Sequence, residues 1–336
     1  MIGLMLKFHS TTGKGEIAVG LDAEALPPEV NWIDALRPTN MEVALLEKLL
    51  GIVVPNEENL AEIETSSRLY RNNGHLFMSL PMIVRLTSGL AQTSPIGFVL
   101  CKEYLLTIRH KQMKPCESLH YQLNYSDPIH NGVSADGPSA LIALLDNIIE
   151  FSSDELEKID SGLDLNSQIV FDQGTARRGK DPVRDSVALR NVLGAIAGYG
   201  YMAAKIGEVL LWISRILPFV SHEAASYLSP ESQAKIESLA RDVISLLDYE
   251  KAQTERNHFL LDATLGLTNL EQNNIFRLLT VVSVIGIPPT LVASMYGMNF
   301  KNMPELEWPY GYEWGLALIA IVALIPAIWF KRRGWW

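Results

Sequence analysis

The stretch "SMYGMNFKNMPELEWPYGYEW", residues 294–314, decides the fold because it separates two long apolar runs near the end of a 336-residue chain. The first run, 278–295, contains no charged side chain, and the second, 314–330, contains no polar side chain apart from its indoles. Each run has about the length that a helix needs to cross a hydrocarbon core of roughly 30 Å. The sequence therefore predicts two transmembrane helices joined by this loop.

The charges beside the two runs predict their orientation. Basic side chains favour the cytoplasmic side of a membrane, and they stand at the outer ends of the runs: Arg277, Lys331, Arg332 and Arg333. The loop carries three glutamates and one lysine: Glu305, Glu307, Glu313 and Lys301. Aromatic residues suited to the membrane interface flank the runs: Trp308, Tyr310, Tyr312, Trp314, Trp335 and Trp336. We expect an inner (plasma) membrane protein with both termini in the cytoplasm and a periplasmic loop.

The rest of the chain is acidic and lacks the long apolar stretch of a signal peptide at its start, so we expect about the first 275 residues to stay in the cytoplasm. Residues 277–336 hold five Lys or Arg and three Glu, which leaves 23 basic and 35 acidic side chains, a net charge of −12, in residues 1–276. This charge argues against a nucleic-acid partner, since phosphate binding needs a basic surface. It suits concentrating or sensing cations, and equally a domain that charge keeps soluble.

The pattern of residues 1–137 predicts a cytosolic α/β domain. Residues 40–50 form a short amphipathic helix that a glycine ends, and residues 76–84 are rich in strand formers. Residues 96–109 predict a hairpin that turns near Lys102 and Glu103. The segment 126–140 is a loop by its turn residues.

Helical spacing dominates from residue 138 onward. Residues 138–229 predict a cytosolic helical layer with a break at 172–182 and a helix end at Pro218. Ser229 suits an N-cap and Pro230 suits the first turn of the next helix. A stalk helix over 230–274 then continues into a membrane domain, 275–336. From Pro230 to Met295 the helix is about 100 Å long at 1.5 Å per residue, a length that demands lateral partners.

A zinc site is one possible use of four residues close in sequence: His110, Cys116, His120 and His130. Their spacing matches no compact ligand pair, so we favour a structural role for them. Cys101 and Cys116, the two cysteines, stay reduced in a cytosolic domain.

One face of the first apolar run carries small hydroxyls at nearly every turn. Steps of three, four or seven from Asn273 give Asn273, Phe276, Thr280, Ser283, Ile287, Thr290 and Ser294. Small hydroxyls either pack against another helix and bond back to the backbone, or line a narrow aqueous pore. Two spans cannot enclose a pore alone, so the pore interpretation requires an oligomer, with cyclic closure the simplest. The uniformly apolar second run then faces lipid.

The sequence at the end of the first run resembles the CorA family of magnesium transporters. The family's Tyr-Gly-Met-Asn signature stands at 296–299, and its Met-Pro-Glu-Leu loop stands at 303–306. The resemblance is dense from Asn269 to the end, with "PPTLVAS" and "FKRRGWW" also fitting, and it is looser upstream.

The resemblance implies a funnel-shaped homopentamer that passes Mg²⁺, and also Co²⁺ or Ni²⁺. Tyr296, Gly297, Met298 and Asn299 then form the selectivity filter, with hydrated Mg²⁺ at Gly297 and Asn299. The implied pore lining is Asn273, Phe276, Leu279, Thr280, Ser283, Ile287, Thr290 and Ser294. The family more often has Met at the positions of Phe276 and Ile287.

The chemistry of the motif suits this role. Mg²⁺ dehydrates reluctantly, so a selective entrance recognises its waters, and the carbonyl oxygens of Gly297 and Asn299 accept hydrogen bonds from metal-bound water. Neither group is charged, so the ion can leave again. Glu305 and Glu307, repeated around a ring, raise the local cation concentration. Taken alone, the same Gly and Asn suit an ordinary helix end.

Other functions remain open. The related ZntB group carries zinc and usually varies the middle residue of the motif, so Met298 favours magnesium. A membrane-anchored enzyme or scaffold is a more distant alternative, and the chain lacks a Gly-rich phosphate loop, HExxH and a nucleophile elbow. In some relatives Mg²⁺ between neighbouring cytosolic domains holds the channel closed; Ser238 stands where their stalk has a carboxylate, and substitutes would be Glu237, Asp242 or Asp248.

Overall fold

The computed structural model describes residues 6–10, 16–20, 22–85, 91–125, 136–176, 182–299, 301 and 303–335. His130, most of the predicted loop at 126–140 and Trp336 lie outside these ranges. The chain forms two compact units. The first comprises Met1–Gln168 and Gly194–Leu260, and the second comprises Ile169–Leu193 and Leu261–Trp336.

A seven-stranded sheet forms the centre of the first unit. Its strands in chain order are β1 Leu6–His9, β2 Glu16–Ile17, β3 Trp32–Leu36, β4 Leu69–Asn72, β5 His75–Arg85, β6 Ala91–Leu100 and β7 Leu105–Arg109. Their spatial order is β2-β1-β3-β7-β6-β5-β4. The pair β3 and β7 is parallel, and the other neighbours are antiparallel. The predicted hairpin at 96–109 is confirmed, since β6 and β7 pair across a turn at 101–104.

Short helices pack beside the sheet: α1 Asn40–Leu50, α2 Glu57–Ala61, α3 Thr65–Arg68 and α4 Lys114–Tyr125. The predicted helix at 40–50 is confirmed. Thr39 and Glu42 form a capping box at its start, in which each side chain satisfies a free backbone N–H of the first turn. Gly51 ends it at φ 66°, where a residue with a Cβ is strained. Buried Leu46 of α1 joins a core with Ile33 and Leu106 of the strands.

Long helices follow the α/β layer. They are α5 Gly137–Ala176, α6 Pro182–Glu223 and α7 Pro230–Tyr296. The predicted start of α7 is confirmed, because the Ser229 hydroxyl accepts a hydrogen bond of 3.0 Å from the backbone N–H of Ser232. The predicted end of α6 at Pro218 is wrong: the helix runs on to Glu223 with Pro218 inside it. Burial of Leu217 and Val220 on either side of the proline accounts for the continuation.

Ion pairs and apolar contacts hold the long helices together within the first unit. Arg256 of α7 forms ion pairs with Asp160 and Asp164 of α5, the former at 2.9 Å. Gln253 donates a 2.7 Å hydrogen bond to the same Asp160 carboxylate. The glycine-containing segment 194–200 lies inside α6, as its helical pattern predicts, and Gly200 lies close to the Asn257 side chain of α7.

The second unit contains two helices long and apolar enough to cross a membrane: the last part of α7, and α8 Gly311–Arg332. Only 6% of each apolar window is buried, which distinguishes both helices from the core helices of a water-soluble protein. A 3₁₀ turn, Pro304–Glu307, lies between them. Helix α7 continues through Pro288 and Pro289, which removes the backbone donors for the carbonyls of Val284 and Ile285. Membrane helices tolerate such gaps.

Candidate functional site

The apolar part of α7 has two sides that differ in exposure. Val281 is buried, and partly covered residues recur every three or four positions beyond it: Ile285, Pro288, Pro289, Val292 and Tyr296. At 3.6 residues per turn, the predicted hydroxyl face lies on the opposite side of the helix, about 180° away. The chain thus covers one side of α7 and leaves the side with the hydroxyls bare.

Each side chain predicted to line a pore is exposed in the single chain. The set is Asn273, Phe276, Leu279, Thr280, Ser283, Ile287, Thr290 and Ser294. Phe276 and Ile287 are 65% and 63% exposed, a large apolar exposure for side chains that would gain by burial. This exposure agrees with a face that other copies of the chain cover, and the pore-lining roles stay predictions.

Two of the hydroxyls bond to their own helix. The Thr280 hydroxyl donates to the carbonyl of Phe276 at 2.7 Å, and the Thr290 hydroxyl donates to the carbonyl of Gly286 at 2.8 Å. These bonds satisfy the hydroxyl hydrogens without water, as occurs in membrane helices generally. They leave oxygen lone pairs that can accept from a hydrated ion. The geometry is therefore compatible with both interpretations of the stripe.

The motif at 296–299 ends the helix. The N–H of Gly297 donates to the carbonyl of Ala293 at 3.1 Å, and the N–H of Met298 donates to that of Met295 at 3.2 Å. Asn299 follows outside the helix with an exposed side chain. This placement brings Gly297 and Asn299 to one end of the hydroxyl face, where their carbonyl oxygens are uncharged acceptors.

Within the single chain, neither the backbone conformation nor the space around position 297 requires a glycine. Gly297 has no positive φ, and a Cβ there would meet its nearest atom, the carbonyl oxygen of Ala293, at 3.4 Å, an ordinary van der Waals distance. Any requirement for glycine at this position therefore comes from outside the single chain, from other copies or from what passes between them.

The loop beyond the motif presents its carboxylates at the surface. Glu307 and Glu313 are exposed, and Glu305 is partly exposed. Glu313 lies in the first turn of α8, where a negative charge interacts favourably with the helix dipole. The loop is joined to the start of α8 by a 3.1 Å hydrogen bond from the N–H of Gly311 to the carbonyl of Trp308.

The first unit contains a buried ionic cluster that was not predicted from the sequence. Asp34 of β3 accepts from Arg109 of β7 at 2.7 Å, from His120 of α4 at 2.8 Å and from the Thr107 hydroxyl at 2.7 Å. Burial alone would raise the pKa of the Asp34 carboxyl, but the hydrogen bonds from His120 and Arg109 hold it well below its ordinary value. The charge of Asp34 is fully paired inside the domain, which makes it a structural group.

His9 and Trp32 extend this cluster. The His120 ring lies 4.5 Å from the rings of both His9 and Trp32, and His9 stacks on Trp32 at 5.1 Å. Burial, reinforced by the charge of His120, lowers the pKa of His9 to about 4. Neither ring nitrogen of His9 has a hydrogen-bond partner among the described residues, so the neutral ring is the form that the fold accommodates.

The described residues among those considered for zinc give no support for a metal site. Cys116 and His120 are both buried on α4, with His120 bonded to Asp34, while His130 lies outside the described residues. Across the described ranges, no three His, Cys, Asp or Glu side chains form a group that could hold a metal ion. Burial raises the pKa of Cys101 to about 11 and that of Cys116 further, so both thiols are protonated at neutral pH.

The stalk carboxylates proposed as substitutes for a regulatory ligand are all exposed: Glu237, Asp242 and Asp248. Glu237 and Asp248 lie on nearly the same side of α7, since eleven residues make just over three turns. Asp160 and Asp164, in contrast, share the single positive charge of Arg256 through two ion pairs.

Comparison with known proteins gives a consistent result. The family model described as "CorA-like Mg2+ transporter protein" matches residues 28–332. The "Magnesium transport protein CorA" of Escherichia coli (strain K12) is 29% identical over 317 residues, which cover 94% of this chain and 95% of that protein. The protein of the same name from Yersinia pseudotuberculosis serotype I (strain IP32953) is 30% identical over 304 residues, covering 90% of this chain and 91% of the relative.

Solved structures show the same fold. The complete CorA magnesium transporter from Methanocaldococcus jannaschii matches with a TM-score of 0.73 at 22% identity and covers 100% of both chains. The full-length CmaX protein matches with a TM-score of 0.66 at 18% identity, covering 97% of this chain and 96% of that one. The α/β domain, the long helix and the two C-terminal apolar helices thus form one known architecture.

Proposed function

The chain belongs to the family of CorA-like Mg²⁺ transporter proteins, and on that premise we propose that it is a channel for Mg²⁺ uptake across the inner (plasma) membrane. The membrane potential drives the ion inward, and Co²⁺ and Ni²⁺ pass by the same route. Five copies of the chain close around the pore, with α7 inside, α8 facing lipid, both termini in the cytoplasm and the 297–310 loop outside.

The observation that carries this proposal is the bare hydroxyl face of α7. It lies opposite the covered side of the helix, and it leads to two uncharged carbonyl acceptors at Gly297 and Asn299. A ring of copies would turn these faces towards a common axis and bury Phe276, Leu279 and Ile287 in a narrow apolar constriction, which gates by dewetting. Asn273 would then form a polar ring below it.

The acceptor chemistry favours Mg²⁺ over a tightly held transition metal. Uncharged carbonyls bond to the waters of hydrated Mg²⁺, which the ion keeps, and offer no soft ligand to zinc. Gly297 has space for a Cβ in the single chain, so its glycine suits close approach of neighbouring copies or of the hydrated ion. Met298 lies between the acceptors and is 49% exposed.

Flux in proteoliposomes tests the proposal. The purified full-length chain is reconstituted with a defined membrane potential, and entry of Mg²⁺ and of Zn²⁺ is measured with ion-specific dyes, beside liposomes without protein. We expect potential-driven Mg²⁺ entry well above Zn²⁺ entry. Zn²⁺ entry above Mg²⁺ entry would support a zinc transporter like the ZntB group, and no entry of either would support a membrane-anchored scaffold.

Closure by cytosolic Mg²⁺ is part of the same proposal. A passive channel for an abundant ion must close when the cytosol is replete. The acidic part of the chain, net −12 over residues 1–276, would repel itself in a ring of copies. Mg²⁺ bound between exposed stalk carboxylates would offset that repulsion and favour the closed state, because a ligand shifts a population towards the state that it binds better.

Limited proteolysis tests closure separately from conduction. Millimolar Mg²⁺ should slow cleavage of the oligomer in residues 1–260, and a chelator should speed it. The triple variant Glu237→Gln, Asp242→Asn, Asp248→Asn should lose this protection and conduct more at high internal Mg²⁺. A control variant that removes exposed charge from α2, Glu57→Gln with Glu58→Gln, should keep it. If neither the cleavage rate nor the flux of the wild type depends on internal Mg²⁺, the proposal that the stalk carboxylates sense Mg²⁺ is wrong.

A further inference from the structure

The C-terminal end of α8 has a defined shape. Gly334 adopts φ 68°, a conformation that glycine adopts without strain. Its N–H donates to the carbonyl of Lys331 at 3.2 Å, and the N–H of Trp335 donates to the carbonyl of Phe330 at 3.0 Å. These two bonds form a Schellman motif, and the rings of Trp335 and Phe330, 5.4 Å apart, supply its characteristic apolar contact. The helix end is therefore a fixed turn that reverses the chain.

Arg277 of α7 fastens this turn to the neighbouring helix. Its guanidinium donates to the carbonyl of Gly334 at 3.2 Å and lies 5.2 Å from the centre of the Trp335 ring. Arg333 lies in the same way over Trp329, at 4.5 Å. Phe330, 4% exposed, is the buried centre of the group. Two guanidinium groups are thus held over indole rings, an arrangement that keeps the charge and fixes its place.

The group carries positive charge without a matching negative one. Lys331, Arg332 and Arg333 are exposed, and Arg277 is partly exposed. None of these four forms an ion pair with a carboxylate of the residues that the structure describes. The glutamates of this unit's loop lie at the opposite end of α8, near its first turn. These charges are therefore available to an anion from outside the described part of the chain.

The depth of the end of α8 in the membrane determines which anion it can meet. Helix α8 has 22 residues and is about 33 Å long at 1.5 Å per residue, close to the thickness of a hydrocarbon core. Its last turn therefore lies at the level of the lipid headgroups, where Trp rings and basic side chains both prefer to be. Anionic phospholipid is concentrated there, and each nearby Lys or Arg contributes about 1 kcal/mol to its attraction.

We propose that Arg277, Lys331, Arg332 and Arg333, fixed by Phe330 and the indoles of Trp329 and Trp335, form a binding site for the phosphate of an anionic phospholipid. The lipid would neutralise the ends of both spans and hold α8 to the base of the pore helix. The proposal rests on α7 and α8 spanning a membrane and does not depend on which ion passes between the copies.

Native mass spectrometry of the purified full-length protein tests this site. The probes are phosphatidylglycerol and phosphatidylcholine with identical acyl chains, and the measured quantity is the ratio of their association constants. The main variant is Lys331→Gln with Arg332→Gln, since both side chains are exposed. The matched control is Lys301→Gln, a basic residue of the loop at the other end of the spans.

We expect the wild type to prefer phosphatidylglycerol, and the double variant to lower that preference by about fivefold for each charge removed, the factor that corresponds to about 1 kcal/mol. Lys301→Gln should leave the ratio unchanged, and Arg277→Gln should lower it. Inorganic phosphate at constant ionic strength should not displace the lipid.

Several results would overturn the proposal. Equal binding of the two lipids by the wild type would do so without any variant, and so would an equal loss in Lys301→Gln, which would indicate non-specific attraction. Displacement by inorganic phosphate would show a site for a soluble anion. Lipid preference that appears only after the oligomer dissociates would show that acidic side chains of a neighbouring copy occupy the group. Mg²⁺ flux is measured on the same preparation, so a failure of lipid binding is distinguishable from a failure of transport.

Discussion

The two parts of α7 differ sharply in the burial of their apolar side chains. In Pro230–Leu260, apolar side chains such as Ile236, Leu239 and Val243 are almost completely buried against the chain's own helices. In the part from Leu261 to Tyr296, large apolar side chains such as Phe276 and Leu279 are more than half exposed, and Val281 is the rare buried one. One continuous helix thus has buried apolar side chains in its first part and exposed apolar side chains in its second part.

The difference shows what each part needs from its surroundings. A soluble monomer rarely exposes so much contiguous apolar surface, so the exposure of the second part suits a membrane span, and the proposed assembly would cover part of it with other copies. The polar groups follow the same division. Asp34 of the first unit is charged, buried and fully paired, whereas Asn299 of the second is uncharged and exposed. The charge of Asp34 thus has a structural role, whereas Asn299 offers the uncharged acceptor that the proposed function assigns to the hydrated ion.

The largest expected effect is at Asn299. Asn299→Ala removes the side-chain acceptor for metal-bound water, so Mg²⁺ uptake into proteoliposomes should fall to the level of liposomes without protein. The matched control is Asn274→Ala, which removes an exposed asparagine of α7 that is not on the hydroxyl face. Both variants should insert and elute as the wild-type oligomer. Normal uptake by a correctly assembled Asn299→Ala variant would end the selectivity role.

The second prediction concerns the contribution of the buried Asp34 cluster to the stability of the first unit. Asp34→Asn leaves Arg109 and His120 without their carboxylate in a buried site, and breaking such a pair costs about 3–5 kcal/mol. The midpoint of thermal unfolding, followed by circular dichroism of the detergent-solubilised protein, should fall strongly. Asp154→Asn, at an exposed position of α5, should change it little. If the two variants melt alike, the cluster is not the structural centre that its geometry indicates.

A smaller effect is expected on acidification. The folded pKa of His9 is about 4 and its ordinary value is 6.5, so the unfolded chain binds a proton here that the folded chain does not. Its contribution to stability is fully present above pH 6.5 and is lost as pH falls from 6.5 towards 4. Asp34 adds a further loss only below its ordinary pKa of 3.8, as pH falls towards its depressed folded value.

The wild-type melting midpoint should therefore decline between pH 6.5 and 4. His9→Phe keeps an aromatic ring against Trp32 but cannot ionise, so it should flatten that decline. An unchanged pH dependence in His9→Phe would assign the decline to other groups. Lys7, which also disfavours a charged His9, offers a second variant, Lys7→Gln, with a weaker effect in the same direction.

Much of the fold was predictable because it depends on local pattern. The apolar spacing and terminal glycine of α1 and the Ser229-Pro230 start of α7 are sequence features with a direct physical basis, and the apolar runs set the lengths of the two spans. Pro218 misled the prediction because a proline usually ends a helix, whereas burial of the flanking apolar residues holds α6 together through it.

The buried cluster could not be predicted in the same way. Asp34, Arg109 and His120 are separated by up to 86 positions, and only the parallel pairing of β3 with β7 brings the first two together. The local sequence provides a single indication of the cluster, the charged Asp34 among the strand-forming residues 32–36. The proposed filter would lie between copies of the chain, so neither one sequence nor one chain fixes its geometry.

In the assembled protein, the bare side of α7 should face water while its other sides face lipid or protein. Single cysteines test it most directly. They are placed on the predicted pore side, at Thr280, Ser283, Thr290 and Ser294, and off it, at Val282, Ile285 and Val292. They are labelled with a membrane-impermeant thiol reagent under conditions that open the channel. Cys101 and Cys116 are buried with raised pKa values and are replaced by Ser or Ala to remove any background.

We predict rapid labelling of the first set, with slowing by Mg²⁺, and little labelling of the second. Equal protection of both sets in conducting protein would contradict the account and identify the hydroxyl face as a packing surface.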